Sequence, residues 1–145
     1  VMAEPRVAGI GLRRSGLGGA AESLADAERA LDLAVRQGRT VRFEDEWLTA
    51  TLVTHAARLR PLLAPGLHVD QPHLAAAVLA FVEHGLSVPG AAEALEVHGN
   101  TVKYRLSRWR ELTGWDPHTL DGLARSLLVL ASGGQRSSPG VPGGG

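Results

Sequence analysis

The chain contains no cysteine in 145 residues. That excludes a disulfide scaffold, a thiolate metal site and a cysteine nucleophile, and it fits a reducing cytoplasm. No long apolar run is present either. Leu127 to Ala131, near the end, is far too short to cross a membrane, and the opening Val-Met-Ala-Glu-Pro-Arg has no apolar segment of the kind a signal peptide needs. There is no excess of one charge: 15 basic residues balance 15 acidic ones, so the global field does not announce a nucleic-acid partner. Nor can a nucleophile–base pair, a metal cluster or a phosphate loop be assembled from the residues, so no enzyme, metal site or cofactor is expected. What is there is enough apolar material, 44%, to build a real core in one ordinary domain or two very small ones.

The hydrophobic pattern changes character along the chain. Val7 to Leu12 reads as a short buried strand, followed by a Gly-rich loop through Gly19. A helix is expected from Ser23, with Asp26 as its capping-box partner and Leu24, Ala27, Leu31 and Ala34 as its apolar stripe. Gly38 ends it and Thr40–Phe43 follows as a second strand. A two-stranded sheet with one helix buries too little surface to stand alone. Residues 1–46 therefore read as a β-α-β remnant of an α/β domain.

Beyond that point everything reads as helical. Residues 47–70 form a connecting helix and linker, striped by Leu48, Leu52, Ala56 and Leu59 and closed by Pro61 and by Pro65-Gly66. Asp70 is a candidate cap for the next helix, with Pro72 in its first turn and Leu74, Val78, Phe81 and Val82 inward; Gly85 stops it. Gly114 and Asp116-Pro117 break the chain once more before a helix carrying Leu120, Leu123, Leu127 and Leu130. Residues 71–132 are thus one helical domain. Residues 133–145, almost all Gly, Pro and Ser, are expected to be disordered. The fold class is mainly α: a C-terminal helical bundle preceded by the β-α-β segment.

Within that bundle, Ser87–Leu112 holds two helical patterns joined by a very short break. Ala91-Ala92 suits a close crossing of two helices, and Val97, expected to be buried, marks the turn. From His98 to Leu112 there are four bases (Lys103, Arg105, Arg108, Arg110) against Glu111, a local +3 on a neutral chain. At about 100° per residue, Val102, Leu106 and Trp109 share one narrow arc, with Leu112 beside them, and this arc must face the core. The far side then presents Asn100, Tyr104, Ser107 and Glu111, with Lys103 and Arg110 on one edge and Thr101 and Arg108 on the other. This is the layout of a helix-turn-helix whose second helix, residues 98–112, enters the major groove of double-stranded DNA. His98, Asn100, Lys103, Tyr104 and Ser107 are candidates for base edges, since Asn pairs with adenine and Lys with guanine. Thr101, Arg105 and Arg108 are better placed for phosphates.

The string Ala91-Ala92-x-x-Leu95-x-Val97-His98-x-Asn100-Thr101-Val102-x-Tyr104-Arg105-Leu106, followed by Glu111-Leu112-Thr113-Gly114, closely resembles the C-terminal DNA-binding domain of PucR/CdaR-type bacterial regulators, whose helix-turn-helix is similar to that of Fis. The resemblance runs from about Leu74 to Ala131. Upstream, Val7-Ala-Gly-Ile-Gly, Ser23-x-x-x-Ala27-x-x-Ala30-Leu31 and Phe43-Glu44-Asp45 resemble the closing elements of the GGDEF-like domain found in such proteins, although the signature of an active cyclase is absent. The resemblance implies a cytoplasmic homodimeric transcription factor responding to a small metabolite through upstream domains. One position departs from it. Gly99 stands where the family carries a basic residue, which removes a contact and loosens the helix start by up to about 1 kcal/mol.

Blander readings apply to the other features. Gly9-x-Gly11 lacks the third glycine and immediate helix of a dinucleotide loop and reads as a tight strand end. Glu44-Asp45-Glu46 reads as solvated or capping carboxylates. His68 and His73 lack the i, i+4 spacing of a zinc pair and read as surface loop. Arg105, near the edge of the core stripe, can simply snorkel, and Tyr104 can cover a neighbouring helix. Two rivals stand beside the regulator: a degenerate nucleotide-binding or enzymatic domain carrying a helical interaction module, and a truncated fragment with no function of its own.

Overall fold

Two short parallel strands and seven helices make up residues 6–133, the part described by the computed structural model. They fall into two compact units: residues 6–54 together with 131–133, and residues 55–130. The tail expected to be disordered lies, from residue 134 on, outside the described residues.

In the first unit, β1 (Gly9–Ile10) pairs in parallel with β2 (Val41–Arg42), Gly9 opposite Val41 and Ile10 opposite Arg42. Helix α1 (Gly16–Gln37) connects them, and α2 (Phe43–Val53) follows directly, with Glu46 out of helical geometry at φ −128°. Ala30, Leu33, Ala34, Val41, Phe43 and Ala50 form the core. Helix α1 starts seven residues before the Ser23 expected from the sequence. The Gly-rich run is recruited into the helix because Arg14 pairs with Glu22 at 3.1 Å and with Asp26, pinning the first turns. Asp26 is accordingly a buried ion-pair partner within the helix rather than a capping residue.

The buried face of α1 also differs from the expected stripe. Leu24 and Leu31 are exposed, and Asp26, Ala30, Leu33 and Ala34 turn inward. Gly9 and Gly11 supply the reason. A Cβ on either would strike the α1 backbone, at Ala27 and Leu31 or at Ser23, so the strand lies directly on the small-residue side of the helix. These glycines serve close packing, and the tight-strand reading of Gly9-x-Gly11 stands. The strands themselves are shorter than expected, because Phe43 already opens α2.

The helix expected over Leu48–Leu59 is broken. Helix α2 stops at Val53, where the Thr54 hydroxyl donates to Thr51 O at 2.7 Å, and Ala56 and Leu59 lie in turns. Pro61 opens α3 (Arg60–Leu67) instead of closing a helix, since the first helical turn has no use for its missing N–H. Pro65-Gly66 lies inside α3. Gly66 is buried there against the Trp115 ring, which a Cβ would penetrate. Helix α4 (Pro72–Glu83) takes Gln71, not Asp70, at its N-cap position, and buries Leu74, Ala77, Val78, Ala80 and Phe81. Helices α5 (Val88–Ala94), α6 (Gly99–Thr113) and α7 (Leu120–Ser132) complete the bundle, with α6 packed on α3, α4 and α5. Helix α7 buries Gly122, Ser126, Leu128 and Val129. The expected Leu120 is exposed, and Leu123, Leu127 and Leu130 are only half-buried.

Candidate nucleic-acid interface

Ser87 begins the motif. Its Oγ accepts from the Gly90 N–H at 3.1 Å, and Pro89 occupies the first turn of α5. Ala91 and Ala92, both buried, let α5 approach α6 closely. The helix ends in two backbone bonds, Leu95 N–H to Ala91 O at 3.0 Å and Val97 N–H to Ala92 O at 3.0 Å. Between them Glu96 is left-handed at φ 53°. Val97 is half-buried in the turn rather than fully enclosed.

His98 is extended and caps α6: its Nδ1 accepts from the Asn100 N–H at 3.1 Å. A residue expected to meet base edges therefore also satisfies a free amide at the helix start. Val102, Leu106 and Trp109 are 0–1% exposed, as the angular argument requires. Leu112 is not part of this arc. It is 36% exposed, and Thr113 turns inward in its place. Thr113 can do so because its hydroxyl is fully used, donating to Trp109 O at 2.8 Å and accepting from the Trp115 N–H at 3.0 Å.

The outward side carries His98, Asn100, Lys103, Tyr104 and Ser107, all exposed, with Thr101, Arg105 and Arg108 half-buried along its edges. Arg108 pairs with Glu111 at 2.8 Å and Arg110 with Asp116 at 3.3 Å. Among the described residues Lys103 and Arg105 make no ion pair. The two early cations on the helix are thus available to an anionic ligand, and the two later ones already have carboxylate partners. Asp116 also stops the chain between α6 and α7. Its carboxyl accepts the His118 N–H at 2.9 Å, and this bond, then the His118 ring and Arg110, holds it below the usual carboxylate range.

One set of residues escaped the sequence reading. The Trp109 indole N–H donates to Ser126 Oγ at 2.8 Å, and Ser126 donates in turn to Gly122 O at 2.6 Å. A serine four residues after a glycine, beside the run Leu127–Ala131, is the one sign the sequence carries of it.

Residues 74–131 match the PucR C-terminal helix-turn-helix domain. An uncharacterized protein of Mycobacterium tuberculosis is 36% identical over 91 residues, covering 63% of this chain and 20% of that protein. The uncharacterized protein YsfB of Bacillus subtilis is 30% identical over 96 residues, covering 64% of this chain and 26% of YsfB. The chain thus spans about a fifth to a quarter of the length of these relatives. The crystal structure of a regulator of polyketide synthase expression from Bifidobacterium adolescentis is similar at 30% identity and a TM-score of 0.49, covering 86% of this chain and 55% of that one.

Proposed function

With residues 74–131 a helix-turn-helix domain of the PucR type, we propose that the chain is the DNA-binding end of a sequence-specific transcriptional regulator, with α6 in the major groove. The observation that carries this reading is the division of α6. Val102, Leu106 and Trp109 are buried, and the opposite side exposes Asn100, Lys103, Tyr104 and Ser107. Side chains in the early turns of such a helix meet base edges. In this reading Asn100 and Lys103 select purines, Tyr104 and Ser107 add contacts beside them, and His98 joins them from the cap. Thr101, Arg105 and Arg108 hold phosphates and set register; Arg108 would exchange Glu111 for a phosphate.

Homodimerisation, a cytoplasmic location and response to a small metabolite belong to the same proposal. We read residues 1–46 as part of a GGDEF-like domain that binds no nucleotide of its own, because Gly9 and Gly11 are occupied by packing against α1. Among the described residues no helix is long and apolar enough to cross a membrane. Selection of duplexes from a randomised pool by the purified chain tests the reading. A recovered motif is expected; recovery of random sequence at every salt concentration would overturn it.

A further inference from the structure

Helix α6 can present its outward side chains to a fixed target only if its rotation about its own axis is fixed. At a helix radius of about 5–6 Å, a 10° rotation moves side-chain tips by roughly 1 Å. Recognition geometry tolerates only about 0.5 Å and 10–20°. Apolar packing of Val102 and Leu106 is non-directional and does not by itself set an angle that sharply. A directional contact does.

Such a contact joins α6 to α7. An indole N–H can only donate and a backbone carbonyl can only accept, so the hydrogen-bond direction is settled by chemistry. Trp109 Nε1 donates to Ser126 Oγ at 2.8 Å, and the Ser126 hydroxyl donates to Gly122 O at 2.6 Å. Trp109 is 1% exposed and Ser126 0%, so neither has water as an alternative partner. Gly122 is itself fixed, since a Cβ there would strike the Asp116 backbone. The chain of contacts therefore runs from the 114–119 connection through Gly122 and Ser126 to the Trp109 ring on α6.

We propose that Ser126 is a positioning residue for DNA recognition: by holding the Trp109 indole it sets the rotation of α6, and with it the aim of Asn100, Lys103, Tyr104 and Ser107. The inference rests on the proposed function. A serine that merely satisfied a buried donor would affect stability and leave base preference alone.

The test compares the purified chain with Ser126→Ala, Ser126→Thr, Trp109→Phe and the double variant Trp109→Phe/Ser126→Ala, at a temperature where circular dichroism shows each folded. The readout is the ratio of affinities for a duplex selected from a randomised pool by the wild-type chain and for a mixed-sequence duplex of the same length. Ser126→Ala is expected to lower that ratio by roughly tenfold, the scale of a buried donor left unpaired. Ser126→Thr keeps the hydroxyl and is expected to keep the ratio. Should threonine not fit the buried site, the double variant carries the test, because its ratio is expected to be no lower than that of either single variant. A Ser126→Ala chain that melts earlier but keeps the wild-type ratio overturns the inference. A wild-type chain with no preference for its selected duplex overturns the DNA-reading proposal itself, and that is seen before any variant is made.

Discussion

Glu96, in the turn between α5 and α6, sits at φ 53°, a region that suits glycine. A residue with a Cβ loses roughly 1–2 kcal/mol there, part of which a glycine would give back through its freer unfolded chain. Glu96→Gly is therefore expected to raise stability by about 0.5–1 kcal/mol in a chemical denaturation curve. A drop in stability would mean that the glutamate side chain contributes more than its backbone costs. Gly99, three residues on, is the opposite case. Its backbone is helical, and an added Cβ would meet only Val88 at 3.7 Å, an ordinary contact. Nothing in the packing demands glycine there, so a residue with a side chain at this position is expected to leave the fold intact. Trp109→Ala belongs to another class: it empties a fully buried site and is expected to cost about 3–5 kcal/mol of stability. Asn100→Ala and Tyr104→Ala, at exposed positions, should leave the melting temperature nearly unchanged. Asn100→Ala should relax preference at one base pair by about 1–3 kcal/mol in a selection experiment. If either of these two melts the domain and spares base preference, the outward assignment of α6 is wrong.

At the scale of elements, the junction between α6 and α7 carries a carboxylate whose titration is tied to its neighbours. Asp116 accepts from His118 and faces Arg110, and its carboxyl is held below the ordinary value of 3.8. A carboxylate with a lowered folded-state pKa contributes stability that is complete above the unfolded value and disappears as pH falls through the folded one. The melting temperature is thus expected to decline below about pH 4, and Asp116→Asn should blunt that decline; an identical acid limb in both proteins would remove Asp116 from the account. The elements themselves were unequally legible. Helices α4 and α6 are legible in the sequence because apolar periodicity agrees with a terminating glycine, Gly85 and Gly114, although Gln71 stands at the α4 cap in place of Asp70, and the α6 arc needs only one correction, at Leu112. Helix α1 was misread because glycines normally mark loops, and the ion pairs of Arg14 that keep Gly16–Gly19 helical join residues up to twelve apart. Pro61 and Pro65-Gly66 were misread for a related reason. A proline can open a helix as well as end one, and Gly66 answers to the Trp115 ring, nearly fifty residues away. On α7 the leucines predict the buried stripe, yet Ser126, bonded to Trp109, is buried with Gly122, Leu128 and Val129, and Leu120 faces out. Periodicity reports which residues of a helix are apolar; which tertiary partner each meets is not written in it.

For the molecule as a whole, zero net charge limits how far DNA binding can depend on a diffuse field. Affinity for any duplex must come from the few cations at the interface. On α6 these are Lys103, Arg105, Arg108 and Arg110, and the last two are already paired with Glu111 and Asp116. Each phosphate neutralised contributes about −0.9 to the slope of log affinity against log salt. One copy using all four cations would give a slope of about −3.6, and one using only the two unpaired cations about −1.8. Titration of a mixed-sequence duplex across a range of salt separates these cases. A slope between them per bound copy is expected, and Arg108→Ala should flatten it by about one unit while weakening all sequences alike. Glu111→Gln, which frees Arg108 from its carboxylate partner, should steepen the slope of a chain that starts near the shallow limit. A slope near zero would mean that α6 does not meet the phosphate backbone. A slope far steeper than −3.6 per copy would mean that basic residues beyond this helix take part.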